Sequence, residues 1–195
     1  MSGIKTNKLA ASTGTTISVP SGTTIYNPGR IVQVKNTYLQ SEATISITSG
    51  YNNYQDITGL SVTISPYKAT SRFYIVARVF CEASSTNMAT WDSAWVIKRN
   101  GYAIGRPPQP GPGDGLPLAQ QVGSLSYWSN DADSTPEIVF WDYVDTPNSL
   151  GPHVYQVALA STTGGTIYLN RTVNGATSGG YERGTSSLTV WEIAS

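Results

Sequence analysis

Residues 72–82, RFYIVARVFCE, put Phe73, Ile75, Ala77, Val79 and Cys81 on one side of an extended strand and Tyr74, Val76 and Phe80 on the other, around a lone Arg78. Residues 137–145, EIVFWDYVD, repeat the pattern. Val139, Trp141 and Tyr143 share one side, and Ile138, Phe140 and Val144 share the other, interrupted by Asp142. A strand that is apolar on both sides must be covered on both sides. In a two-layer fold the second cover is a long loop or another subunit, and Arg78 and Asp142 need hydrogen-bonding partners there. Both are therefore candidate oligomer-interface residues.

The rest of the chain carries the same signal. Helical periodicity is nearly absent, while period-two and fully apolar runs of strand length recur between Gly, Pro, Asn and Asp. Strands are predicted over Arg30–Lys35, Ala43–Thr48, Leu60–Ile64, Arg72–Glu82, Ala94–Arg99, Gln121–Tyr127, Glu137–Asp145, His153–Ser161, Thr166–Val173 and Ser186–Ile193. Many short strands with turn signals between them point to a two-sheet sandwich or a barrel. Asn100-Gly101 supplies the two positive-φ residues of a tight hairpin between WVIKR and YAIG. Gly164-Gly165 predicts a second hairpin, between VALAS and TIYLN. The proline- and glycine-rich stretch 105–121 is too irregular for a collagen repeat and reads as a long surface loop.

Composition narrows the function. At 195 residues the chain suits one sizeable domain. Twelve Lys and Arg balance twelve Asp and Glu, so no basic field attracts nucleic acid or an anionic membrane. No apolar run reaches membrane-spanning length, and the first eleven residues are too polar for a signal-peptide core, so synthesis in the cytoplasm is expected. The single Cys81 cannot form an intramolecular disulfide and reads as a small buried hydrophobe.

The search for chemistry returns little. No nucleophile elbow, phosphate-binding loop, dinucleotide fingerprint or zinc-protease motif occurs, and no catalytic residue, cofactor or metal is assigned. The only histidine, His153, opens a predicted strand after Gly151-Pro152 and reads as structural. Asn130–Ser134 groups oxygen ligands but lacks the glycine and glutamate of an EF-hand and reads as a polar turn. The sequon Asn170-Arg171-Thr172 carries little weight without a secretory signal. Trp91, Tyr102 and Trp128 lie in or beside predicted loops, where flat aromatic faces stack on sugars or partner proteins. They form a candidate ligand or partner surface.

The N-terminal stretch GTTISVPSGTTI says GTTI twice, eight residues apart. A Gly/Ser linker has no reason to set Ile17, Val19 and Ile25 at strand-like spacing around Pro20-Ser21-Gly22. One copy cannot bury these residues together with Tyr26, whereas several copies, or another protein, can. They are candidate residues of an assembly arm.

Four stretches resemble tail-fibre-like and other appendage proteins of tailed bacteriophages, of the type common in marine and cyanobacterial phages. They are IKTNKLAASTGTTISVPSGTTIYNPGRIVQV, DITGLSVTISPYKATSRFYIVARV, the hairpin WVIKRNGYAIG, and YLNRT with the closing RGTSSLTVWEIAS. The resemblance implies an all-β fold: an antiparallel, jelly-roll-like β-sandwich head over residues 30–195, behind a short extended arm over residues 1–29. It also implies a non-enzymatic protein, displayed on the virion as a homotrimer, that contacts the host surface or other virion proteins. Within that reading, the arm anchors the protein and loop 106–118 lies at an interface or tip. Two alternatives stand beside it. One is a capsid decoration protein that cements the shell, and the other is a carbohydrate-binding module built on Trp91, Trp128 and Tyr102. A polysaccharide depolymerase is the enzymatic rival.

Overall fold

A computed structural model describes residues 28–50, 53–84, 93–106, 136–176 and 181–195. Ten strands follow one another: β1 (Ile31–Leu39), β2 (Ala43–Ile47), β3 (Gln55–Ile64), β4 (Arg72–Ala83), β5 (Ser93–Arg99), β6 (Tyr102–Ile104), β7 (Glu137–Asp145), β8 (His153–Ser161), β9 (Gly165–Leu169) and β10 (Ser186–Ile193). The expected all-β antiparallel sandwich is the fold observed. One sheet runs β1-β10-β4-β9-β2 with β7 on the other edge of β4, and the second runs β3-β8-β5-β6.

The core follows from the alternation of side chains along each strand. Phe73, Ile75, Ala77, Val79 and Cys81 of β4 point inward beside Val139 and Trp141 of β7 and Leu188 and Val190 of β10. They meet Val62 and Ile64 of β3, Trp95 and Ile97 of β5, and Tyr155, Val157 and Leu159 of β8. Cys81 is buried as expected, and burial, with smaller contributions from Glu137 and Glu82, pushes its thiol well above the ordinary 9.0. One end of the sandwich is pinned by a polar staple between the sheets. Arg99 donates to both carboxylate oxygens of Asp145 at 2.7 Å, and the Tyr155 hydroxyl donates to the same carboxylate at 2.7 Å. Burial first, and then that bond, raises the Tyr155 phenol far above its ordinary range.

Asn100 (φ 51°) and Gly101 (φ 86°) make the predicted turn, and Arg99 pairs with Tyr102 across it. The second predicted hairpin does not form. β8 pairs with β3 and β5 in one sheet, whereas β9 pairs with β2 and β4 in the other. Gly164-Gly165 therefore carries the chain between sheets. Gly164 (φ 72°) does so against the β2 end, where an added Cβ would lie 2.9 Å from the Ile47 carbonyl oxygen. The strand predicted over Thr166–Val173 stops at Leu169, because Asn170 turns to φ 59°.

Asn170 marks the place where β4, longer than β10, passes its edge to β9. There the Asn170 N–H donates to the Phe80 carbonyl at 2.8 Å and the Phe80 N–H donates to Ser186 Oγ at 3.0 Å. Ser186 Oγ donates in turn to Asn170 Oδ1 at 2.7 Å, and Asn170 Nδ2 donates to the carbonyls of Leu39 and Ser41. With Asn170 fully buried and its amide engaged at both ends, the sequon is a structural knot rather than a glycan acceptor in the folded chain.

β3 explains the stretch DITGL. Its register against β8 jumps between Asp56 and Ser61, and this bulge drops Ile57 and Leu60 into the core. Gln156 Nε2 donates to the freed carbonyls of both residues, at 2.8 and 3.0 Å. Gly59 (φ 88°) brings the bulge against Leu39 of β1 and so closes one side of the sandwich.

Candidate functional site: the open sheet face

The two outer faces differ. On the β3-β8-β5-β6 sheet, the outward residues Ala94, Val96, Ala158 and Ala160 are all 0% exposed. Tyr54 from the β2–β3 connection packs on Ala94 and Ala160, and Lys98 fastens that connection by donating to Tyr54 O and Asp56 Oδ1. The outer face of β1-β10-β4-β7 has no such cover among the described residues. Ile31, Val34, Tyr38, Ile138, Val144 and Phe140, the last 63% exposed, stand in the open. Tyr74, Val76, Phe80, Trp191 and Ile193 are half-buried between them.

Strand pairing arranges this face in rows. Val34, Trp191, Tyr74 and Val144 form one, Asn36, Thr189, Val76 and Asp142 the next, and Tyr38, Ser187, Arg78 and Phe140 a third. The Tyr74 and Trp191 rings lie 5.5 Å apart, tilted by 33°. Phe80 lies over Gly184, where a Cβ would strike its ring.

Arg78 and Asp142 are neighbours on this face, since Arg78 pairs with Phe140 and Asp142 with the adjacent Val76. Each finds a partner within its own chain, Arg78 in the loop that precedes β10 and Asp142 on the neighbouring strand β4. Arg78 Nη2 donates to the carbonyl and the hydroxyl oxygen of Thr185, both at 2.8 Å, and that hydroxyl donates to Tyr38 Oη at 2.9 Å. Asp142 accepts from the Tyr74 hydroxyl, and this bond, ahead of desolvation, raises the Tyr74 phenol above its ordinary 10.0. The two charges are thus held in place and retain free hydrogen-bonding capacity, because a guanidinium has five donors and a carboxylate several acceptor sites.

A partly apolar face this broad is of the size of the largest patches that soluble monomers leave uncovered, which are often functional. Four strands at about 4.8 Å spacing and nine residues of β4 span roughly 500 Å² in projection, near the low end of what one partner contributes to a stable interface. The face offers aromatic anchors, apolar flanks and a few fixed polar groups.

The other sequence-predicted residues fall as follows. Tyr102 is 80% exposed on β6, immediately after the hairpin turn. Trp91, Trp128, the arm residues Ile17, Val19, Ile25 and Tyr26, the strand predicted over Gln121–Tyr127, the polar turn at Asn130–Ser134 and the loop 107–118 lie outside the described residues. Of the proposed aromatic surface, Tyr102 alone can be placed. His153 is buried between Phe73, whose ring meets it edge-on at 5.8 Å, and Tyr155. Neither of its ring nitrogens has a hydrogen-bond partner among the described residues, so it serves as packing. Val34, Tyr38 and Trp191 were not singled out from sequence. The outward alternation of VQVKNTYL and LTVWEI held the signal, but only the register shows that these strands share a face with Phe140. No protein-family model and no curated protein matches the chain.

Proposed function

We propose that this chain is a non-enzymatic structural subunit of a tailed-bacteriophage particle, a homotrimeric appendage that assembles with other virion proteins and contacts the host surface. The observation that carries the assembly reading is the contrast between the two sheet faces. On one, Ala94, Val96, Ala158 and Ala160 are fully buried, with Tyr54 packed on Ala94 and Ala160, while the other leaves Val34, Tyr38, Phe140 and Val144 in water beside fixed polar groups. Burial of such a face against protein is favourable at roughly 25 cal/mol per Å² of apolar surface, before the costs of association.

The strand neighbours support the jelly-roll form of the sandwich. β1 lies beside the final strand β10, and β3-β8-β5-β6 faces β1-β10-β4-β7, as two nested Greek keys require. Loops at the ends of such a sandwich are free to present contacts, and Tyr102 stands beside one of them, at the start of β6. The phage assignment rests on the four stretches of resemblance, of which DITGL and YLNRT prove to be the bulge and the knot that hold the fold together.

The test is location. Antibody against the purified chain should label intact particles, at the tail or head vertices for an appendage and over the whole shell for a decoration protein. A chain starting at Asn27 should fold but fail to incorporate. Particles that carry no label would end the proposal.

A further inference from the structure

We propose that the open face is closed by copies of this same chain, with the β1 column of one subunit packed against the β7 column of the next around a three-fold axis that runs along the strands. This rests on the homotrimer reading above and adds to it the surface, the direction and the residue pairs.

The argument begins with the rows. β1 and β7 are the two borders of the four-stranded face, and the strand register fixes which of their residues stand at the same height. Val34 shares a row with Val144, Asn36 with Asp142, and Tyr38 with Phe140. Read along the strands, one border is aliphatic, amide, aromatic, and the other is aliphatic, carboxylate, aromatic. A rotation about an axis parallel to the strands preserves height, so it brings each residue to its counterpart on the next copy. Aliphatic meets aliphatic, and aromatic meets aromatic. The Asn36 amide N–H meets the Asp142 carboxylate, which is a charge-assisted bond. All six residues are exposed and none is needed by the core of its own subunit. Such border-to-border contact is heterologous and closes into a ring. It also covers two strand edges that pair on one side only among the described residues.

The width of the face sets the size of the ring. Four strands at about 4.8 Å make a face about 19 Å wide, and three such faces form a prism whose axis lies about 5.5 Å from each sheet, close to half the ~10 Å spacing of packed sheets. Four faces would place the axis about 9.6 Å away on the same spacing and leave a channel that these side chains do not fill.

Cross-linking of the full chain tests this. The double variant Val34→Cys/Val144→Cys is oxidised mildly and run on a non-reducing denaturing gel. Cys81 is buried and the native chain has no other cysteine, so the introduced thiols report alone. The expected result is covalent trimer from the double variant and monomer from each single variant. Independently, Asn36→Asp should raise the concentration of half-dissociation in sedimentation at least tenfold by setting two carboxylates together, and Asp142→Asn added to it should restore assembly. Covalent dimers that go no further would overturn the three-fold arrangement. Trimers in sedimentation with no cross-link, and with no response to Asn36→Asp, would overturn the surface while leaving the virion role intact. A monomer at 100 μM concentration, on the order of 100 times that at which stable homo-oligomers persist, would overturn the oligomer itself.

Discussion

Asn170 holds more of the fold than any exposed residue of the face. Its amide donates to the Leu39 and Ser41 carbonyls and receives the Ser186 hydroxyl, and its backbone sits at φ 59°, a conformation that Asn tolerates better than most residues. Asn170→Ala removes three hydrogen bonds and places a Cβ-bearing residue without a polar side chain in the left-handed region. The expected cost is about 3–5 kcal/mol. Asn170→Gly loses the same bonds but not the backbone compatibility, so it should cost about 1 kcal/mol less than alanine. Urea unfolding of the two variants separates the contributions. Equal losses would mean that the backbone carries no strain, and losses below about 1 kcal/mol in both would remove the residue from its central place.

At the level of elements, two glycines with nearly the same φ differ in what surrounds them. Gly101 (φ 86°) turns the β5–β6 hairpin in open space, with nothing within 4 Å of an added Cβ, whereas at Gly59 (φ 88°) that Cβ would lie 3.0 Å from Leu39 Cδ1. Gly101→Ala should therefore cost only the backbone term, about 1 kcal/mol. Gly59→Ala should cost about 2–3 kcal/mol, since it adds crowding at the β1–β3 closure. Leu39→Val in the second background should recover part of the difference, as measured by thermal melting. Identical losses at the two glycines would show that Leu39 simply swings aside.

The bounds of β7, β8 and β10 could be read directly from the sequence, because period-two alternation and flanking Pro, Asn and Gly are local signals. The Asn100-Gly101 turn was equally local. The Gly164-Gly165 turn misled because turn chemistry reverses or bends a chain without stating which sheet receives the next strand. β9 was read too long because Asn170 breaks the strand to serve partners some 130 positions away. Of the candidate site, Arg78 and Asp142 announced themselves as lone charges on doubly apolar strands. Their neighbours Val34 and Tyr38 could not be found the same way, since their place beside Tyr74 and Phe140 depends on pairing through β10.

For the molecule as a whole, the proposed assembly through the open face links stability to concentration. If the trimer is the species that melts, raising the concentration 100-fold stabilises each subunit by about two-thirds of the 2.7 kcal/mol given by RT ln 100, or about 1.8 kcal/mol. For a chain of this size that corresponds to a rise in melting temperature of about 4–7 °C. Phe140→Asp should abolish the rise. Its side chain is 63% exposed in the single subunit and absent from the core, so far-UV circular dichroism and the dilute melting temperature should stay close to those of the unchanged protein. In the assembly the same change buries a carboxylate beside Asp142 and the aromatic pair is lost, so the concentrated protein should melt like the dilute one. Phe140→Leu keeps the apolar contact and should retain most of the rise. Separate scans of the three proteins at 1 and 100 μM, concentrations about two decades apart, decide the matter. A melting temperature that does not move with concentration in the unchanged chain would mean that the face is not covered by its own copies.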